Sequence, residues 1–321
     1  MKYIRVLSPY ISRGNYQFFI LWFFKSCLRQ NITVQKGLSI HWLVRLAIAK
    51  LRVSFNISHI TFKNKALIVL GAGYIDSFAW PFAYNCEIIP VLWDTWPKYW
   101  PRLVASLKRH HVKYAFFTQS QVAKMIEQEI PEIKCFHLLE GIDLTGYKKG
   151  DILENRTIDL LELGRIYTKF HTLIDKTQIP LLKEHLFRTP EDGLLFPDFE
   201  SLTHGLSNAK VTVCFPRCDT HPLQAKNIET MTQRYWECML SRTLILGRAP
   251  KELIDFAGYN PVIDVDWNNL PSQIEFILSN IRTYQNLVDN NYRFALRYAS
   301  WDNRVKKMLS LLHENGYRLK K

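Results

Sequence analysis

Acid is missing from the beginning of this 321-residue chain: no Asp or Glu precedes Asp76, whereas eleven Lys or Arg do. Residues 1–150 hold 20 Lys and Arg against 8 Asp and Glu, and residues 151–321 hold 22 against 21. Nearly all of the net charge of +13 therefore lies in the first half, which suits an anionic partner: a membrane surface, a nucleic acid or a phosphorylated substrate. Also absent is any Cys-x-x-Cys pair among the six cysteines, and Cys214-x3-Cys218 has no second pair to complete a zinc site. Reduced thiols of a cytoplasmic chain are expected. Long apolar runs are lacking too. The run Phe18–Phe24 ends at Lys25, and seven residues cannot cross a bilayer that needs about 20, so neither a span nor a signal peptide is expected. No zinc-finger, homeodomain or RNP-like pattern occurs, and the aromatics sit inside apolar runs, which argues against nucleic acid.

What is present is alternation. Apolar β-rich runs at 4–7, 66–70, 88–92, 114–117 and 135–139 are separated by helical patterns at 16–29, 41–53, 98–110 and 119–129. Near-continuous apolar strands alternating with helices predict a parallel sheet covered on both faces. The segment 41–55 (HWLVRLAIAKLRVSF) has the pattern of an interfacial helix, and equally of a surface helix packed on its own core. Gly71-Ala72-Gly73 predicts a tight strand-to-helix turn, without the third glycine of a dinucleotide fingerprint.

A polar stretch, 141–156, predicts a boundary, giving domains 1–150 and 151–321. The pattern then restarts with strands at 158–163, 193–196, 210–215, 243–247 and 261–265, and helices at 166–176, 199–207, 224–240, 250–257, 270–298 and 300–315. The fold class expected is α/β, with two Rossmann-like doubly wound domains facing a cleft. Ligands of open α/β sheets bind beyond the carboxyl ends of the strands.

Two glutamates bracket ETMTQRYWE, residues 229–237. The predicted helix carries Glu237, with Glu229 at or before its N-terminus, where exposed N–H groups favour anions and hydroxyls. Read from spacing alone, both fit solvated surface glutamates better than ligand-holding ones. The stretch ETMTQRYWECMLSRTLIL, however, resembles the E-x7-E segment of retaining GT-B glycosyltransferases of family four. Leu163-Gly164-Arg165 resembles the Gly-Arg ending the first strand of that family's C-terminal domain, Ala249–Leu253 and Asn260–Asp264 resemble the loop, helix and strand that follow, and the tail ending WDNRVKKMLSLL resembles its closing helices. The tail and Arg-Tyr-Trp-Glu look closer to the spore-maturation-protein-like branch of glycosyltransferase-like proteins. The resemblance covers about 160 residues of the second half, and the first half only in pattern. It departs from the family at Thr230-Met231-Thr232, where glycines are usual, and at Arg242, where another glycine is usual.

The resemblance implies glycosyl transfer from a nucleotide-sugar, with retention and without metal or cofactor; the charge of the first half points to a glycan or lipid-linked acceptor, in surface polysaccharide or glycoconjugate synthesis. The resemblance also implies that Glu229 holds donor-sugar hydroxyls and Arg165 stabilises the leaving diphosphate, making these two the catalytic candidates. By the same resemblance Gly164, Lys169, Thr230, Met231, Thr232 and Glu237 would line the donor, with Glu237 on the ribose. Arg165 would act where negative charge builds up, and hydroxyl contacts at Glu229 would help an oxocarbenium-like transition state. Asp94, in the strand-end loop WDTWP, and Arg217, Asp219 and His221 in VCFPRCDTHP are acceptor-side candidates; the latter three equally suit a loop held by its own hydrogen bonds. His110-His111 reads as a solvated helix end. Charge favours peripheral contact with an anionic inner membrane face. The alternative is a glycosyltransferase-like protein that binds nucleotide or glycan without turnover.

Overall fold

The computed structural model describes residues 2–9, 18–37, 43–44, 47, 64–73, 75, 82, 85–164, 166–188 and 193–320. Most of the predicted 41–53 helix, and Arg165, lie outside them. The chain forms two compact units, the first of residues Met1–Gly141, His221–Thr230 and Trp301–Lys321, the second of Ile142–Thr220 and Met231–Ser300. The expected boundary at 150/151 is continuous in sequence, whereas these units are not: the closing residues 301–321 return to the first.

The first unit is built on a parallel sheet of β1 (Lys2–Leu7), β2 (Thr33–Gln35), β3 (Lys65–Ala72), β4 (Glu87–Trp93), β5 (Tyr114–Phe117), β6 (Lys134–His137) and β12 (Tyr317–Leu319). Its order is β12-β1-β3-β4-β5-β6, with β2 also paired to β1. All seven residues of β4 are buried, as a central strand covered on both faces requires. Helix Trp301–Glu314 is fixed by aromatic packing: Trp301 meets Phe23 of helix Phe18–Arg29 at 5.2 Å and Trp93 at 5.7 Å, both edge-on. Its Asp302 accepts hydrogen bonds from Ser26 at 2.5 Å and Arg29 Nε at 3.0 Å.

The second unit has a five-stranded parallel sheet of β7 (Ile158–Leu161), β8 (His185–Leu186), β9 (Ala209–Cys214), β10 (Leu244–Gly247) and β11 (Ile263–Asp264). The order is β8-β7-β9-β10-β11. The strand order therefore reverses between β7 and β9, which makes the carboxyl ends of those two strands the crevice where such sheets take ligands. Leu160, Phe170, Val211, Leu244, Leu246, Ile274 and Val288 form its core. The helix expected over 224–240 is interrupted. Pro222 starts a short helix, Pro222–Ala225, Lys226 ends it at φ +50°, and helix Gln233–Leu240 begins only after Thr232. The strand expected at 193–196 is instead β8 at 185–186. The apolar run 193–196 is loop, with Leu194 half exposed and Phe196 against Gly205.

Candidate active site

In the second unit, Gly164 follows β7 in a left-handed conformation, φ +89°. A Cβ at Gly164 would stand 3.6 Å from Arg234 Nη2, so this turn lies against the first turn of helix Gln233–Leu240. Arg234 Nη1 is 2.7 Å from Glu237 Oε2, and the Glu237 carboxylate is nearly buried, with its side chain 11% exposed. Tyr147 donates its hydroxyl hydrogen bond to Glu237 Oε1 at 3.4 Å. Burial is the largest influence and opposes charge on Arg234, but the Glu237 carboxylate together with Cys238, Cys214 and Tyr147 outweighs it and holds the guanidinium pKa above its ordinary value. Burial, then the same carboxylate, pushes the Tyr147 phenol far up, so it remains a neutral donor. Gly164, Arg234, Glu237 and Tyr147 thus form one cluster with a fixed ion pair and a neutral hydroxyl donor.

A second group lies where β7 and β9 end. Lys169, at the start of helix Thr168–Asp175, holds its ammonium 3.8 Å from the centre of the Trp267 ring. Phe215, next after β9, stacks on Trp267 at 5.6 Å and meets Tyr167 at 4.8 Å. Asp219 is engaged: both its oxygens accept from the Arg248 guanidinium, at 2.7 and 2.8 Å. Arg217 shares the short helix Arg217–Thr220 with it, whereas His221 belongs to the first unit and precedes helix Pro222–Ala225.

Met231, Thr232 and Arg242 have specific positions. Met231 is fully buried and its N–H donates to Glu252 Oε1 at 2.5 Å. Thr232 precedes helix Gln233–Leu240 without a side-chain cap bond. Arg242, after the same helix, keeps the left-handed backbone at φ +56° that a glycine would take up readily. Its side chain bonds to Asp289 at 2.7 Å and to the Gly150 carbonyl at 2.9 Å.

Glu229 and Thr230 belong to the first unit. The Glu229 N–H donates to Gln121 Oε1 at 2.7 Å, near the start of helix Ser120–Glu129, and Thr230 is buried. Asp94 is exposed after β4 with φ +50°, beside a loop whose Thr95 N–H donates to Gln119 Oε1 at 3.2 Å. Asp94 thus lies in the loop that follows β4, and Gln121 in the first turn of the helix that follows β5. Sequence reading missed Tyr147, Arg234, Tyr167, Phe215, Trp267 and Arg248. Only Arg234 carries a local signal, its i,i+3 spacing from Glu237.

No protein-family model matches the chain, and no curated protein matches its sequence. Its fold does match solved structures. Anabaena HepE in complex with UDP and glucose aligns with a TM-score of 0.59 at 9% identity, over 98% of this chain and 100% of that one. Sucrose-phosphate synthase from Thermosynechococcus elongatus aligns with 0.64 at 12% identity, over 98% and 99%. A mutant of S. aureus TarM in complex with Fondaparinux, alpha-GlcNAc-glycerol and UDP aligns with 0.52 at 13% identity, over 84% of this chain and 58% of that one. The chain has the fold of these GT-B glycosyltransferases, two parallel α/β units.

Proposed function

We propose that the chain is a glycosyltransferase that moves a sugar from a nucleotide-sugar donor, a nucleoside diphosphate sugar, to a glycan or lipid-linked acceptor. The observation carrying this reading is the Gly164 turn set against the Arg234–Glu237 pair at the end of β7. Beside a strand-order reversal, a small turn and a buried, oriented carboxylate suit a ribose or sugar hydroxyl. Glu237 is assigned the ribose hydroxyls, and Glu229 the donor sugar. Arg165, with Lys169 as a weaker partner, is assigned the diphosphate, where charge develops as the sugar leaves. Thr230, Met231 and Thr232 border the donor, and Asp94, Arg217, Asp219 and His221 face the acceptor side. Retention of configuration, transfer that uses no catalytic metal, a role in surface polysaccharide synthesis and work at an anionic inner membrane face belong to the same proposal.

One observation favours a second reading, binding without turnover. The Met231 N–H, at a position where the family's backbone approaches its donor, is already spent on Glu252. The test is thermal stability against UDP, GDP, ADP, CMP and their sugars, on wild type and Glu237→Gln. A ligand at about 100 times its dissociation constant adds roughly 2.7 kcal/mol. One nucleotide stabilising wild type, and the variant much less, supports the assignment; stabilisation without sugar release from the matching donor supports the second reading. No stabilisation by any of them rejects both.

A further inference from the structure

Glu162, His171 and His185 come from three separate places: the residue after β7, helix Thr168–Asp175 and β8. Each offers a donor atom, and the three atoms lie within 4.8 Å of one another. His171 Nδ1 and His185 Nε2 both point at Glu162 Oε1, at 2.7 and 2.9 Å. The Glu162 side chain is 3% exposed, and its second oxygen, Oε2, is buried with no hydrogen-bond partner among the described residues. Leaving a buried carboxylate oxygen unpaired is costly unless a cation compensates it. The imidazoles remain 19% and 16% exposed, which leaves a path from solvent. Phe187 packs on both rings, at 4.5 and 4.8 Å, and closes one side with an apolar wall.

We infer that Glu162, His171 and His185 bind one divalent transition-metal ion, with zinc the best match. Two imidazoles and one carboxylate form a common three-ligand zinc set that leaves a fourth position for water. Zinc bonds of roughly 2.0–2.1 Å in tetrahedral geometry put donors about 3.3 Å apart, so the donor atoms must spread by about half an ångström. Side-chain rotation supplies that movement. Loading also requires the ring proton facing Glu162 on each imidazole to move to the other ring nitrogen or to solvent. Binding therefore weakens as the solution is acidified. The ion would tie β7, β8 and helix Thr168–Asp175 together, just before the Gly164 turn. The inference does not depend on glycosyl transfer.

The experiment is elemental analysis of the full chain, stripped with chelator, reloaded with zinc at neutral pH and dialysed. It compares wild type with His185→Ala, His171→Asn and Glu162→Gln. About one zinc per chain is expected in wild type and less than a tenth of that in each variant. Circular dichroism identifies any variant that has lost its fold, and the remaining folded variants decide. Cobalt loading should give visible bands of a tetrahedral site without thiolate charge transfer. Zinc absent from wild type, zinc retained equally by folded variants, or a thiolate cobalt spectrum each overturns the inference.

Discussion

At Gly247 the backbone leaves no room for a side chain. The residue ends β10 with φ +153°, and a Cβ there would lie 1.8 Å from the Cys214 carbonyl oxygen of the neighbouring β9. Gly247→Ala is expected to destabilise the protein by about 3 kcal/mol or more, from backbone strain and overpacking together. Gly193→Ala, where nothing lies within 4 Å, should stay within about 0.5 kcal/mol, and chemical denaturation of the pair checks both. Arg242 shows the opposite solution to a left-handed backbone. An arginine bears that strain because Asp289 and the Gly150 carbonyl hold its guanidinium. Both Arg242→Gly and Arg242→Ala lose those bonds, but only glycine relieves the backbone. The glycine variant should therefore be more stable than the alanine variant by about 1 kcal/mol, measured in the same way. The reverse order would mean that the backbone is not strained there. The sequence shows an arginine at 242, but not the Asp289 contact that makes its left-handed backbone tolerable, because that partner is 47 residues away.

Between elements, Asp159 binds β7 to its surroundings. Its oxygens accept from Lys210 Nζ at 2.7 Å on β9, and from the N–H groups of Lys183 and Glu184 at 2.9 and 3.0 Å, just before β8. Burial works against its charge, but the Lys210 bond and the two backbone donors outweigh it, so its pKa lies below the ordinary carboxylate value. A depressed folded-state pKa gives stability that is fully present above the unfolded value, about 3.9, and is lost as pH falls through the folded one. Asp159→Asn should thus be less stable than wild type at pH 7, and the two should converge as pH falls below about 4. Denaturant midpoints across pH 3–7 test this; a constant gap would show that the carboxylate charge contributes nothing. The same scale shows what periodicity can and cannot reveal. β3 and β4 were legible because long buried strands read as apolar runs. The helix at 224–240 was overextended because apolar spacing runs through Lys226, whose positive φ breaks it without a glycine to announce the break. β2, β8 and β12 have two or three residues each, too few to show a period. The discontinuous division was hidden because only tertiary packing, Trp301 on Phe23 and β12 on β1, returns the last residues to the first unit. The Glu162–His171–His185 cluster was hidden because its members share no local spacing. Gly164 and Glu237, both singled out in the sequence, lie in one cluster through Arg234.

Over the whole molecule, charge is the property that packing does not neutralise. The net charge is +13, and the excess of Lys and Arg falls within residues 1–150. No helix among the described residues is long and apolar enough to cross a membrane. Each Lys or Arg near an anionic leaflet contributes about 1 kcal/mol, so four acting together would give about a thousandfold in affinity. Salt removes that gain: the screening length falls from about 10 Å at 0.1 M to about 3 Å at 1 M. Cosedimentation with vesicles carrying anionic lipid is therefore expected to be strong at low salt and nearly absent at 1 M, with little binding to neutral vesicles at any salt. Equal binding to neutral vesicles would assign the association to apolar insertion instead. No binding to either would leave the basic half to meet a soluble anion, such as a phosphorylated acceptor. Adding such an acceptor in the low-salt arm separates the two partners. If it competes with vesicles, one basic surface serves both.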